Sequence, residues 1–187
     1  MRRLLACGLA AVLVAGCASG DDAVVSGTEF TFVAPGGQTR ISYPPDERQK
    51  LVVTGQDLMN PGEQLSTRDF AGKIVILNVW GQWCPPCRAE APELQKVHDP
   101  DGGVVVLGID VRDPSRDAPQ DFMRDRGLTY PSIYDPSGRT MLQLKGIPRN
   151  VVPLTLVLDE QHRVANVFLT DLLASDLRPV LRRLTAE

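Results

Sequence analysis

The sequence predicts an α/β protein. Its mixed central sheet is flanked by helices, runs parallel in its first half, closes with an antiparallel strand pair and carries an N-terminal β-hairpin extension. Three observations carry this expectation. Residues 73–80 (KIVILNVW) and 104–110 (VVVLGID) are unbroken apolar, β-branched runs, the pattern of strands buried on both faces. Strand-like and helix-like stretches alternate in the order β-α-β-α-β-α-β-β-α, so the first strands run parallel through crossover helices. Residues 154–158 and 164–168 flank a short turn at 159–162, the spacing of antiparallel partners. With 187 residues, 43% apolar and 23% charged, the chain is one domain with a buried core plus short extras. The net charge of −3, with acids and arginines interspersed, lacks the basic footprint of a nucleic-acid binder.

The chain opens with Met1-Arg2-Arg3 and an apolar run over 4–15, the n- and h-regions of a secretory signal and too short to span a bilayer. Val14-Ala15-Gly16-Cys17 follows and resembles the bacterial lipoprotein signal, in which cleavage before the Cys exposes a thiol for acylation. The expected organisation is a signal peptide over 1–16, a lipidated Cys17 with tether and hairpin over 17–45, and the main domain over 46–187. Cleavage removes Arg2, Arg3 and no acid, which takes the charge to −5, and it discards Cys7. With Cys17 blocked, only Cys84 and Cys87 remain as thiols, in an exported compartment where disulfides persist. Several acyl chains on Cys17 would hold the domain at a membrane face.

Residues 18–28 are small, polar and acidic, the composition of a tether. Residues 29–33 and 39–42 flank Ala34-Pro35-Gly36-Gly37-Gln38, a turn sequence that pairs them as a hairpin. A break at 43–48 (YPPDER) precedes short strands at 50–54 and 57–59 and the turn Asn60-Pro61-Gly62. A helix begins at 84–86, where Pro is tolerated in the first turn, and runs to about His98 with Pro92 kinking it. Asp117 caps a second helix that ends at Arg126-Gly127; a short strand at 130–134 and a short helix at 139–144 follow. The last helix, 172–184, sets Leu173, Leu177, Val180, Leu181 and Leu184 on one face.

Chemistry concentrates in Trp83-Cys84-Pro85-Pro86-Cys87. Two Cys separated by two residues at a strand-to-helix junction bring their sulfurs within disulfide reach. Helix N-terminal amides favour negative charge there, so Cys84 ionises more readily than a free thiol. Pro85 and Pro86 withhold two backbone donors and stiffen the loop. The predicted chemistry is thiol–disulfide exchange, with Cys84 attacking and Cys87 resolving the mixed disulfide. A disulfide closing so small a loop would be a poor staple. A zinc site takes about four ligands. His98 and His162 lie 11 and 75 residues beyond Cys87, so neither a metal nor another cofactor is expected. Trp83 shields the sulfurs and offers a contact surface, while Trp80 reads as packing beneath the helix.

Residues 78–92 (NVWGQWCPPCRAEAP) resemble the active-site segment of the thioredoxin superfamily. More narrowly they resemble the exported TlpA/ResA branch with its AhpC/TSA–Redoxin type domain, whose members carry W-C-x-P-C followed by an acid and a Pro. Residues 65–73 (LSTRDFAGK), 131–135 and Gly138 also fit that branch, and the resemblance covers about residues 55–184. It implies a three-layer thioredoxin-like fold, a redox-active Cys84–Cys87 disulfide and a cis-proline opposite it. Pro153, just before the strand 154–158, stands at that position; its rival Pro148 is too far from the strand. A cis bond there would leave the Val152 backbone free to pair with a substrate strand and aim its Cys at Cys84. Trp83, Pro85, Pro86, Val152 and Pro153 are therefore the expected substrate-binding residues. The buried Asp that cytosolic thioredoxins carry six residues before the first Cys is Asn78 here, and an amide cannot take the resolving thiol's proton. Glu90, Asp110 and Asp113 are the candidates for that acid/base role. The Gly that usually follows the last strand is not evident around Phe168-Leu169-Thr170.

The resemblance implies a membrane-tethered, extracytoplasmic thiol–disulfide oxidoreductase of protein disulfides, working mainly as a reductase. Such proteins reduce apocytochrome c CxxCH or metallochaperone cysteines and draw electrons from a CcdA/DsbD-type membrane protein. An oxidase or isomerase forming disulfides in secreted proteins is the alternative within redox chemistry, and the sequence leaves the direction open. A Sco-like copper-delivery protein shares the fold but needs CxxxC and a distant ligand His, where this chain offers CxxC and His162. A peroxidase would need a Thr and an Arg around a lone Cys, and no second motif supplies them.

Overall fold

Every residue of the strand Ile74–Trp80 is buried, because a strand pairs on each of its edges and side chains cover both of its faces. The structure, a computed structural model, describes residues 23–26, 31–34 and 37–187; the expected signal sequence and Cys17 lie outside them. In chain order the first strands are β1 (Ala23–Ser26), β2 (Thr31–Ala34), β3 (Arg40–Ser42), β4 (Thr54–Asp57) and β5 (Gln64–Ser66). They are followed by β6 (Ile74–Trp80), β7 (Val104–Val111), β8 (Ser132–Asp135), β9 (Leu154–Leu158) and β10 (Val164–Phe168). The helices are α1 (Pro85–Gln95), α2 (Asp117–Asp125) and α3 (Ala174–Thr185). Strands β3 to β10 form one eight-stranded sheet in the order β3-β10-β9-β6-β7-β8-β4-β5. The β6–β7 and β7–β8 pairs are parallel, and β9 runs antiparallel along the other edge of β6, the mixed sheet expected.

Side chains alternate across β6, so Val75, Leu77 and Val79 join one apolar cluster and Ile74, Ile76 and Trp80 the other. The second cluster holds the inner faces of all three helices, through Ala91 and Leu94 of α1, Phe122 and Met123 of α2, and Leu177 and Leu184 of α3. The first is closed by Ile41, Leu51 and Val53, and by Met141 of a 3₁₀ turn at Thr140–Gln143. That turn replaces the short helix expected over 139–144. On the helical face, Trp80 Nε1 donates to Ser132 Oγ at 3.0 Å, reaching across β7 at Gly108. A Cβ on Gly108 would stand 2.5 Å from Ser132 Oγ and 2.8 Å from Trp80 Nε1, so only glycine admits this bond.

The N-terminal pairing differs from the expected one. Thr31–Ala34 pairs antiparallel with Ala23–Ser26, inside the stretch read as a tether, while β3 joins the main sheet against β10. Buried Ile41 explains the choice: it finds a full apolar cluster at the sheet edge, which an isolated two-stranded ribbon does not offer. The sheet therefore begins at Arg40, ahead of the boundary expected at residue 46. Leu51 and Val53 are buried as core, but only an isolated Lys50–Arg163 bridge precedes the strand that starts at Thr54. Leu173, expected on the apolar face of the last helix, precedes α3 and is exposed, because the helix starts one residue later.

Candidate active site

Where β6 ends at Trp80, the chain turns through Gly81-Gln82-Trp83 into α1. Cys84 is the N-cap, with extended backbone, and its Sγ accepts the Cys87 amide at 3.3 Å. Pro85 and Pro86 take the first two helical positions, where an amide has no intrahelical partner and the fixed φ suits a helix start. Cys84 and Cys87 form a disulfide, with Sγ–Sγ 2.05 Å and Cα–Cα 5.3 Å. Both are buried, while Pro85 and Pro86 are exposed beside them.

Contacts from the end of β7 and beyond hold the loop, beside the Arg88 guanidinium of α1, which donates to the Gln82 carbonyl at 3.3 Å. Gln82 N donates to Asp113 Oδ2 at 2.7 Å, Trp83 Nε1 to the Val111 carbonyl at 2.8 Å, and the Arg112 guanidinium lies 4.4 Å from the Trp83 ring centroid. Trp83 folds back on Gly81, where a Cβ would come within 2.3 Å of its Nε1. The indole stays 41% exposed at the mouth of the site. The Val152–Pro153 peptide bond is cis. Because Leu154 pairs with Val79, Pro153 stands beside Trp80, the residue from which the CxxC loop departs.

The three acids named from the sequence occupy different settings. Glu90, on α1 one turn after Cys87, is buried; its Oε1 accepts Asn78 Nδ2 at 2.8 Å and its Oε2 accepts the Leu172 amide at 3.1 Å. Burial pushes its pKa up to about 7, against the pull of those two donors. Asp110 sits on β7 in register with Trp80, fully buried, with neither carboxylate oxygen hydrogen-bonded among the described residues. Burial first, then the neighbouring Asp113 and Asp135 carboxylates, push it up to about 9. Asp113 serves the loop by accepting the Gln82 amide. Asn78, in place of the thioredoxin Asp, links Glu90 to Thr155 Oγ1 on β9 at 3.0 Å. Sequence reasoning named neither Thr155 nor the Leu172 amide. The signal for Thr155 was a polar residue inside the buried run LTLVL, which needs a partner.

The histidines lie elsewhere. His162 follows β9, at the opposite end of that strand from Pro153, and its Nε2 is 3.1 Å from the Phe70 carbonyl. His98 lies beyond α1 and accepts the Val106 amide at Nδ1. A copper site joining His162 to the cysteines is not formed. Among the described residues, no helix is long and apolar enough to cross a membrane.

A mixed sheet, a CxxC disulfide opening a helix and a cis-proline alongside define a thioredoxin-fold thiol–disulfide oxidoreductase. The chain belongs to the AhpC/TSA family, whose model matches residues 49–167, and within the thioredoxin superfamily it is TlpA/ResA-like. The thiol-disulfide oxidoreductase ResA of Halalkalibacterium halodurans is 31% identical over 57% of this chain, which spans 59% of that protein's length. A secreted thiol-disulfide isomerase from Corynebacterium glutamicum is 46% identical, with a TM-score of 0.79 over 83% of this chain and 97% of that one. A DsbF homologue from Corynebacterium diphtheriae is 49% identical, with a TM-score of 0.76 over 81% and 97%.

Proposed function

We propose that the protein is a membrane-tethered, extracytoplasmic reductase of protein disulfides, such as the CxxCH disulfide of apocytochrome c during cytochrome c maturation. Residues 1–16 would be its signal peptide and Cys17 its lipid anchor. In the reduced protein, Cys84 attacks one sulfur of the substrate disulfide; the Cys84–substrate bond forms and one substrate thiolate leaves. Cys87 gives up its proton and attacks Cys84, the second thiolate leaves, and the Cys84–Cys87 disulfide closes. Two electrons pass to the substrate, and its two sulfurs take up two protons. Glu90 receives the Cys87 proton, being buried one turn away with a pKa near neutrality. Val152, ahead of the cis bond, pairs with the substrate backbone while Trp83, Pro85 and Pro86 form the contact surface. A CcdA/DsbD-type membrane dithiol returns the two electrons.

The observation that supports this direction is the poverty of donors around Cys84. A pair is strongly oxidising when its reduced form is stabilised, chiefly as a thiolate. Pro85 and Pro86 withhold two amides from the helix start, leaving the Cys87 amide on Cys84 Sγ, and Glu90 adds acid rather than positive charge. The test is the reduction potential of the Cys84–Cys87 pair, by equilibration with defined thiol buffers. A value near or below about −230 mV supports a reductase, and about −120 to −180 mV overturns the direction. The second reading, a disulfide oxidase or isomerase, is favoured by the description of the Corynebacterium glutamicum relative as a secreted isomerase.

A further inference from the structure

Beside the cis-proline a groove of about 480 Å³ lies over the ends of β7 and β9 that flank the CxxC loop. Its apolar lining includes Val111, Met141, Leu142 and Val152. Arg112 and Arg149 are its charged residues, and no acidic side chain lines it. Leu142 is 62% exposed, and Trp83, the exposed aromatic of the site, adjoins the groove through Arg112 stacked on its ring.

Neither arginine of the groove is neutralised by a carboxylate. Arg40, Arg48, Arg124, Arg163 and Arg183 each meet a carboxylate within 4 Å, whereas Arg112 and Arg149 have no ion pair among the described residues. Arg112 also holds a left-handed backbone, φ 62°, unusual for a side chain with a Cβ, and its guanidinium carbon lies over the indole, 4.4 Å from the ring centroid. A guanidinium over a ring can still offer its N–H groups to a carboxylate. Two cations without an ion pair and no lining acid make the groove locally positive on a chain of net charge −3. Val152, whose backbone makes no hydrogen bond among the described residues, borders it and is free to pair with an added strand.

We infer that this groove is a substrate subsite selecting extended polypeptide segments that carry an acidic residue beside an apolar one, within about three residues of the reacting Cys. The inference rests on the reading that Cys84 exchanges disulfides with polypeptides. The segment pairs with Val152, its apolar side chain lies on Leu142 and Met141, and its carboxylate meets Arg112 and Arg149. Basic segments are disfavoured by the same two charges.

The test compares two peptides that share a Cys and a neighbouring Leu and differ only in Glu against Lys at the adjacent positions. Binding to the oxidised protein is measured by fluorescence anisotropy with Ser in place of the peptide Cys, and exchange with the peptides as disulfides. The Glu peptide is expected to bind and react at least about fivefold better, with the ratio falling as salt rises. The ratio collapses towards one in Arg112→Gln/Arg149→Gln and is partly kept in the Lys pair. Equal binding of both peptides to the wild type, or a ratio unchanged in the Gln pair, overturns the subsite. Selective binding without exchange of either peptide supports the subsite and removes the exchange reading instead. Equal exchange with equal binding does the reverse.

Discussion

Glu90 and Asp110 are both carboxyls buried on the helix-bearing side of the sheet, 2% and 0% exposed, yet the chain furnishes them differently. Glu90 receives an N–H from Asn78 and another from Leu172, so its charged form is partly supported and its pKa stops at about 7. Asp110 receives none and is pushed to about 9, a neutral acid at working pH. Equal burial thus yields two chemistries, and the supply of donors decides between them. A pKa of about 7 suits Glu90 to the proton transfer proposed for it at Cys87, whereas one of about 9 keeps Asp110 protonated at neutral pH.

The contrast matters for function only if the Cys84–Cys87 disulfide reacts, so the largest predicted effect lies there. Cys84→Ser reduces exchange of a protein disulfide to the uncatalysed rate, and Cys87→Ser accumulates the mixed disulfide on Cys84, visible by mass. No substitution of either carboxyl has an effect of that size.

The next effect is on stability against pH. A carboxyl with a raised folded pKa holds a proton that the unfolded chain has released, so its contribution is present below the unfolded pKa and lost as pH rises through the folded one. For Glu90 the loss runs from 4.5 to about 7 and amounts to about 3 kcal/mol. For Asp110 it starts at 3.8 and continues to about 9. Urea unfolding of the oxidised protein across this range should show stability falling with pH, with Glu90→Gln removing the part complete by pH 7 and Asp110→Asn the part that persists beyond it.

Apolar replacements then separate the two sites by sign. Glu90→Leu strands the Asn78 amide and the Leu172 N–H and should cost about 1–3 kcal/mol at neutral pH. Asp110→Val removes a buried acid that accepts no N–H and should be neutral or stabilising in the same unfolding measurement. A modest loss is expected at the satisfied donor next to Asp110: Ser132→Ala leaves Trp80 Nε1–H unpaired and should cost about 1 kcal/mol.

What the sequence disclosed follows the range of the interactions involved. The strands β6 and β7 were legible because seven or eight consecutive residues carry one apolar signal, and Cys84 with Cys87 because their chemistry lies in a four-residue spacing. Glu90, Asp110 and Asp113 could be named but not ranked. The donors that separate Glu90 from Asp110 sit 12 and 82 residues away, on β6 and just before α3. The N-terminal pairing was misjudged for the same reason. The Gly36-Gly37 turn signal is local, whereas Ile41 is placed by β10, some 125 residues later in the chain. Arg112 and Arg149 gave no signal, since their lack of an ion pair is a property of the folded surface.

The most direct test of the account is the pH dependence of the Cys84–Cys87 reduction potential, in the wild type and in Glu90→Gln. If Glu90 exchanges its proton with the pair, the wild-type slope changes near pH 7 and that change is absent from the variant. Superimposable slopes in the two proteins would contradict the role assigned to Glu90 and leave the buried acid a purely structural group.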